Sequence, residues 1–285
     1  MNVCLECQPC LGKNAVDAAK RSTSDKNLQK QILAESFRML SDSDYTMPPP
    51  YYARKILDIA HDQTGAGDIY VQEKHRSNVL AEQLLAELSK KPELRLNNFR
   101  TRLYLALAGN ILDFGIFADL DIKYAMDAVK SAFSKPVSED AVKLLQEKME
   151  SAEKILYILD NCGEAVFDRV FMEPYKEKII LGVRGKAAFN DVTASDLADC
   201  GLADHRYIEN GPAGVPGTIL SECSAEFRKV VDESDLIIAK GQGNFETMNE
   251  YEYPIAFLFM AKCPVVTRLI GAEMNSLQLR LVNLK

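Results

Sequence analysis

The spacing of apolar residues divides this chain into two parts. From about Leu11 to Met149, apolar residues recur every three or four positions, which is the period of an α-helix with one buried face. Two such series are Leu28, Ile32, Leu33, Phe37 and Leu40, and Val79, Leu80, Leu84 and Leu88. A proline-rich break at 41–54 precedes a helix that we place from about Ala53, and the glycines of 61–68 predict a connection. The first part therefore predicts a bundle of helices.

After Glu150, short apolar runs alternate with segments long enough for helices. The runs that predict strands are ILYIL at 155–159, KIILGV at 178–183, DLIIA at 235–239 and AFLFM at 256–260. The segments at 163–175, 217–234 and 263–273 are long enough for the crossover helices of a parallel sheet. We predict an α/β fold with a helical subdomain at 1–100 and an α/β catalytic domain at 101–285.

Polar residues follow three of the predicted strands at once. Asp160 and Asn161 follow the first, Asn190 and Asp191 come after the second, and KGQGNFE at 240–246 follows the third. Because the carboxyl ends of parallel strands form one edge, these residues could converge there. Carboxylate and amide oxygens suit Mg²⁺ or Mn²⁺, and a lysine with glycine-exposed backbone N–H groups suits phosphate. This combination predicts phosphoryl transfer to water.

Each of these short patterns also has a simpler explanation. Asp–Asn and Asn–Asp pairs often cap helices or form turns, and glycine after a strand often serves only the backbone. The repetition at three successive strand ends favours a site, but the residues alone leave both interpretations open.

Composition and charge restrict the kinds of partner that this chain is expected to bind. The chain has 285 residues, of which 47% are hydrophobic and 26% charged, as in ordinary globular proteins. A net charge of -7 without clustered Lys and Arg argues against nucleic-acid binding. Since the chain lacks an apolar run long enough for a membrane span, and the start MNVCLECQPC lacks the features of a leader, we expect a cytoplasmic protein without a membrane partner.

Four motifs in order resemble those of a known family. They are AGNILDFG at 108–115, YILDNCGEAVFD at 157–168, AAFNDVT at 187–193 and IIAKGQGNFE at 237–246. They are similar to the motifs of the metal-dependent damage-control phosphatases, formerly a domain of unknown function. ECQPC at 6–10 looks like the CxxC of the mainly microbial branch of that family, so the resemblance covers nearly the whole chain.

The resemblance implies a fold, an activity and a set of site residues. The fold is a three-layer α/β domain with a mostly parallel sheet and an N-terminal all-α subdomain. The activity is hydrolysis of small phosphorylated metabolites such as sugar phosphates, nucleotides or related esters, with Mn²⁺, Co²⁺, Ni²⁺ or Mg²⁺ as cofactor. The metal ligands would be Asp160, Asn161 and Asp191, and the residues facing phosphate or lining its pocket would be Asn110, Lys240, Gly241, Gly243 and Asn244. Asp160, Asp191, Lys240 and Asn110 would be the catalytic residues.

Other enzyme classes lack their motifs here. The GxGxxG of dinucleotide-binding proteins and the GxxxxGK of P-loop proteins are absent from the sequence. The Asp-x-Asp of aspartyl-phosphate enzymes is also absent because position 162 is Cys, which favours a metal-activated water over Asp160 as the nucleophile. The alternative of another class is a non-enzymatic metal-binding or regulatory protein.

The cysteines of the amino terminus give a separate prediction. Cys4, Cys7 and Cys10 form CxxCxxC, but the next cysteine is Cys162, too far along the chain for a compact iron–sulfur motif. Helical spacing puts Cys7 and Cys10 on one face, so we predict that both are buried core thiols. The odd count of seven cysteines favours reduced thiols.

Overall fold

A computed structural model describes residues 1–91, 96–110, 122–134 and 137–284 of the chain. Within these ranges the α-helices are α1 (Gln8–Ser22), α2 (Lys26–Asp42), α3 (Pro49–Thr64), α4 (Val71–Ser89), α5 (Phe99–Gly109), α6 (Ile122–Ser134), α7 (Glu139–Ser151), α8 (Glu164–Met172), α9 (Ala225–Asp232), α10 (Gly241–Met248) and α11 (Pro264–Ile270). The strands are β1 (Ile155–Ile158), β2 (Ile179–Val183), β3 (Tyr207–Glu209), β4 (Leu236–Lys240), β5 (Ile255–Met260) and β6 (Leu277–Val282).

The strands form one sheet in the order β3-β2-β1-β4-β5-β6. Neighbouring strands are parallel except β5 and β6, which are antiparallel. The predicted α/β fold with a mostly parallel sheet is thus confirmed. The chain moves outward in opposite directions from β1 and from β4, so a crevice opens between their carboxyl ends, where sheets of this kind bind ligands.

Helices cover both faces of the sheet. β1 is buried along its whole length, and its side chains alternate between two hydrophobic cores. Ile155 and Tyr157 pack in the core that includes α5 and α8, whereas Leu156 and Ile158 pack in the core of α9 and α10. A continuous apolar run predicts this kind of strand because both of its faces are buried.

The helices of the first part pack in two places. α1, α2 and α3 share a third hydrophobic core, to which Leu11, Ile32 and Ile56 belong. Leu84 and Leu88 of α4 instead join the core on the α8 face of the sheet. The subdomain boundary at residue 100 stays a prediction.

Several local expectations were wrong. The helix α3 begins at Pro49 rather than near Ala53, because proline fits the first turn of a helix, whose N–H groups have no partner within the helix. Phe37 and Val79 were assigned to buried faces but are 48% and 43% exposed.

Two strands were not predicted at all. β3 has only three residues at the sheet edge, and β6 is mostly half-buried. The segment 263–273, expected to be a crossover between parallel strands, leads instead into the antiparallel β6. Among the residues that the structure describes, no helix combines the length and apolarity needed to cross a bilayer.

Candidate active site at the carboxyl ends of β1, β2 and β4

Backbone hydrogen bonds join the segments that follow β1 and β2. The N–H of Cys162 donates to the carbonyl of Asn190 over 2.8 Å, and the N–H of Val192 donates to the carbonyl of Asp160 over 2.8 Å. Asn161 and Asp191 thereby form an isolated antiparallel bridge. The structure therefore brings Asp160, Asn161 and Asp191 to one place, although the chain separates them by about thirty residues.

Arg184 fixes the carboxylate of Asp191. It lies directly after β2, is 1% exposed, and donates from Nε to Asp191 Oδ2 over 2.7 Å. Its other nitrogens reach the carbonyl of Gly217 at 2.8 Å, Thr218 Oγ1 at 3.3 Å and Asn244 Oδ1 at 3.3 Å. The sequence analysis did not identify Arg184 as a site residue. Its position directly after a strand predicted to be buried could have pointed to it.

Negative charge accumulates around these residues. Burial, followed by the charges of Asp191 and Glu164, raises the pKa of Asp160 well above its ordinary value. Burial also raises the pKa of Asp191, although Arg184 opposes the shift. Arg184 and Lys262 act against the shift of Asp160 without cancelling it, so an additional positive ion would stabilise the ionised carboxylates further.

Asn110 links the helical part to the site. It follows α5, is 2% exposed, and donates from Nδ2 to Glu164 Oε1 over 2.6 Å. Its Oδ1 accepts from the N–H of Met260 over 2.8 Å. These contacts explain why a polar residue stands in an apolar helical segment. Asp113 of the same motif lies outside the described residues.

Lys240 lies behind the site. It is completely buried, and its Nζ donates to the carbonyl of Ala106 at 2.8 Å, to Glu164 Oε2 at 3.2 Å and to Asp168 Oδ1 at 2.6 Å. The ammonium therefore has three protein acceptors. Its predicted contact with phosphate stays a prediction.

The start of α10 lies against Asp160. Gly241 has a φ of 78°, and a Cβ at this position would lie 1.8 Å from Asp160 Oδ2. Only glycine allows the helix to begin so close to the carboxylate. The side chain of Asn244 ties the strand ends together, because its Nδ2 donates to the carbonyl of Lys240 at 2.7 Å and its Oδ1 accepts from Thr218 Oγ1 at 2.9 Å.

A cavity of about 320 Å³ connects these groups. Its polar wall includes Asn110, Asp160, Asn161, Asp191 and Gly243. The helical part also lines it, with Cys7, Cys10, Leu11, Asn14, Pro49, Pro50 and Ala53. The wall is completed by Met1, Phe189, Asn190, Pro216, Gln242, Glu246, Lys262 and Cys263. The cavity is therefore lined by both parts of the chain.

The donor set fits a hard divalent ion. Within the described ranges, no three Cys, His, Asp or Glu side chains converge as a metal cluster. The candidate set instead pairs the carboxylates of Asp160 and Asp191 with the amide of Asn161, which leaves positions for substrate and water. Burial is the largest cause of the raised pKa of both carboxyl groups, because it disfavours their ionised forms, and a bound cation would stabilise those forms.

The amino-terminal cysteines lie at this cavity. All seven cysteines fall within the described ranges and are free thiols. Cys7 is buried as predicted, its Sγ lies 3.5 Å from that of Cys4, and burial raises its pKa to about 12. Cys10 was predicted to be a core thiol but is exposed, because it faces the cavity rather than the helical core.

This chain is similar to several known proteins. The sequence model described as damage-control phosphatase ARMT1-like domain matches residues 3–277. An uncharacterised protein of Methanocaldococcus jannaschii is 32% identical over 95% of this chain and 92% of its own length. A damage-control phosphatase of Archaeoglobus fulgidus is 30% identical over 97% of this chain and 98% of its own length. The crystal structure of a DUF89 family protein from Pyrococcus horikoshii superposes with a TM-score of 0.88 at 28% identity, covering 97% of this chain and 98% of that one.

Proposed function

This chain belongs to the damage-control phosphatase ARMT1-like family, and we propose that it hydrolyses small phosphorylated metabolites with a divalent metal ion. The observation that supports the proposal is the convergence of Asp160, Asn161 and Asp191 in one cavity at the carboxyl ends of β1 and β2. Phosphate esters carry charge that such a site, once loaded with metal, would attract.

Asp160, Asn161 and Asp191 would hold the ion, which is Mn²⁺, Co²⁺, Ni²⁺ or Mg²⁺ in this proposal. When bound, such an ion supplies Lewis-acid charge that activates water and offsets the charge of phosphate oxygens. Arg184 occupies Oδ2 of Asp191, which leaves the other carboxylate oxygen for the ion. The hydrogen bonds of Arg184 to Gly217, Thr218 and Asn244 would keep that oxygen in position.

Phosphate would lie at the amino-terminal end of α10. Backbone N–H groups of Gly241, Gly243 and Asn244 lie in the first turn of this helix, where intrahelical acceptors are missing and the helix dipole favours an anion. Gly243 lines the cavity directly. These donors would stabilise charge that develops on phosphate oxygens in the transition state.

Asn110 and Lys240 would act through Glu164. Both donate to its carboxylate, and Asn161 Nδ2 lies 3.3 Å from Glu164 Oε1. We assign Lys240 the task of balancing the charge of this carboxylate close to the phosphate, and Asn110 the task of orienting it. Fixing Glu164 in turn fixes Asn161.

The size of the cavity supports a small substrate. A volume of about 320 Å³ lies at the lower end of the range for small-molecule sites. It suits a sugar phosphate or a related ester better than a nucleotide. The net charge of -7 gives no support for a nucleic-acid substrate.

The Asp191→Ala variant tests the proposal. Loss of a charged ligand should lower phosphate release from p-nitrophenyl phosphate and from sugar phosphates by orders of magnitude, and calorimetry should show weaker metal binding. The control is Asp204→Ala, because Asp204 is an exposed acid of the α/β part. Near-normal turnover of Asp191→Ala at saturating metal would contradict the site. Metal binding by the unaltered protein without hydrolysis of any ester would favour the non-enzymatic alternative.

A further inference from the structure

Glu246 is a buried acid of the cavity that the proposed metal site does not use. It is 8% exposed and lines the cavity together with Asp160 and Asn161. Its Oε1 accepts from Gln242 Nε2 over 2.7 Å, and Gln242 Oε1 accepts from the N–H of Lys262 over 2.9 Å. The carboxyl group is therefore held in place on the cavity wall.

The helix α10 sets the distance between Glu246 and the phosphate end of the cavity. The helix begins against Asp160 at Gly241, and Glu246 comes five residues later. At a rise of about 1.5 Å per residue, the two positions are roughly 7.5 Å apart along the helix. Since Glu246 and Asp160 line one cavity, a phosphate beside Asp160 could present its ester oxygen to Glu246.

The surroundings of Glu246 leave it partly protonated near neutral pH. Burial raises its pKa to about 7, while Gln242 and the amino terminus oppose the shift. The titratable groups that line the cavity with Glu246 are Cys7, Cys10, Lys262, Asp160, Asp191, Cys263 and the amino terminus of Met1. A carboxylic acid with such a pKa can donate a proton at the working pH.

We propose that Glu246 is the general acid that protonates the ester oxygen of the leaving group. The inference rests on the proposed phosphatase function. As water forms a bond to phosphorus, the bond from phosphorus to the ester oxygen breaks and its electron pair stays on that oxygen. The oxygen takes the proton of Glu246 and leaves as an alcohol, the attacking water loses one proton to solvent, and the Glu246 carboxylate regains one from solvent.

The test compares two leaving groups in the Glu246→Gln variant. p-Nitrophenolate is a stable anion that needs little protonation, whereas the alkoxide of glycerol phosphate needs a proton as it leaves. Because general acids contribute about 10²- to 10⁴-fold, turnover of glycerol phosphate should fall at least 100-fold, and turnover of p-nitrophenyl phosphate less than tenfold. Inhibition by inorganic phosphate and the melting temperature should hardly change, since Gln keeps the size of the side chain.

The pH profile gives a second measurement. Turnover of glycerol phosphate by the unaltered enzyme should decline as the pH rises above about 7, because the acid loses its proton. Glu246→Gln should lack this decline, whereas Glu246→Asp should keep it with part of the turnover. Glu252→Gln is the matched control, because Glu252 is an exposed acid shortly beyond the same helix.

The outcomes separate this inference from the proposed function. Equal losses with both esters, or no loss with either, would overturn the role of Glu246 while the phosphatase function stands. A folded but inactive unaltered protein, tested on both esters with each of the four metals, would overturn the proposed function and the role of Glu246 with it. Support for Glu246 as the general acid would come from a Glu246→Gln variant that selectively loses turnover of glycerol phosphate and no longer shows the decline at high pH.

Discussion

The ammonium of Lys240 is one positive charge between two buried carboxylates. Glu164 and Asp168 both accept from it, and Tyr157 donates its hydroxyl to Asp168 over 2.9 Å. Burial lowers the pKa of Lys240, but the two carboxylates outweigh it and raise the pKa above its ordinary value. Burial raises the pKa of Asp168 to about 6 against the opposing charge of Lys240. At the residue scale, the two buried carboxylates of this cluster depend on the ammonium of Lys240 for compensation of their charge.

Replacing Lys240 by Met should therefore destabilise the fold as well as lower turnover. Removing one partner of a buried ion pair typically costs about 3 to 5 kcal/mol, because the remaining charge has no compensation. Urea unfolding of Lys240→Met measures the loss in free energy of unfolding. Adding Asp168→Asn should restore part of the loss, since one uncompensated carboxylate disappears. A change below about 0.5 kcal/mol would show that the contacts contribute little to stability.

At the scale of secondary-structure elements, the sequence predicted the strands that have a distinctive local pattern of apolar residues. β1, β2, β4 and β5 were found because each is a continuous apolar run buried on both faces. β3 was missed because exposed edge residues carry no such run. The partners of Arg184 and Lys240 could not be predicted either, since they depend on which strands become neighbours. Their residue types were visible in the sequence, whereas their contacts exist only in the folded sheet.

The junction of β4 and α10 gives a prediction at the same scale. A Cβ at Gly241 would collide with Asp160 Oδ2, so Gly241→Ala should displace that carboxylate and lower both metal affinity and turnover. The matched control is Gly65→Ala, because Gly65 has a similar φ of 66° with nothing within 4 Å of the added Cβ. Both variants should lose about 1 to 2 kcal/mol of stability from backbone strain, but only Gly241→Ala should weaken metal binding. Equal metal affinities of the two variants in calorimetry would contradict the proposal that Gly241 leaves the space in which Asp160 is positioned.

At the scale of the whole molecule, the helical part lines the cavity and also contacts the loops that follow β2. Arg54 of α3 donates to the carbonyl of Ala187 over 3.0 Å. Lys74 of α4 is buried and bridges Asp68 to Asp196 at 2.7 and 2.9 Å. The contacts cross from the helices to the loops that follow β2. The site therefore depends on the docking of the two parts, which short sequence motifs do not encode.

Asn78 provides the most direct test of that dependence. It lies on α4, is 1% exposed, and its Oδ1 accepts from the N–H of Gly163 over 2.6 Å. Gly163 follows Asn161 by two residues, so Asn78 holds the loop that would carry two of the metal ligands. Asn78→Leu would leave the Gly163 N–H buried without its acceptor, which typically costs about 1 to 3 kcal/mol.

We therefore expect Asn78→Leu to weaken metal binding and to lower turnover, with part of the turnover recovered at high metal concentration. His75→Ala is the matched control, because His75 contacts Asp199 from the same helix but its side chain is 64% exposed. Calorimetric titration with Mn²⁺ and the metal dependence of phosphate release measure the effect. If Asn78→Leu lost stability but kept the metal affinity of the control, α4 would support the fold without positioning the site. A selective loss of affinity would show that the helical part helps to hold the metal ligands in place, because ligand geometry depends on the residues that support the ligating side chains.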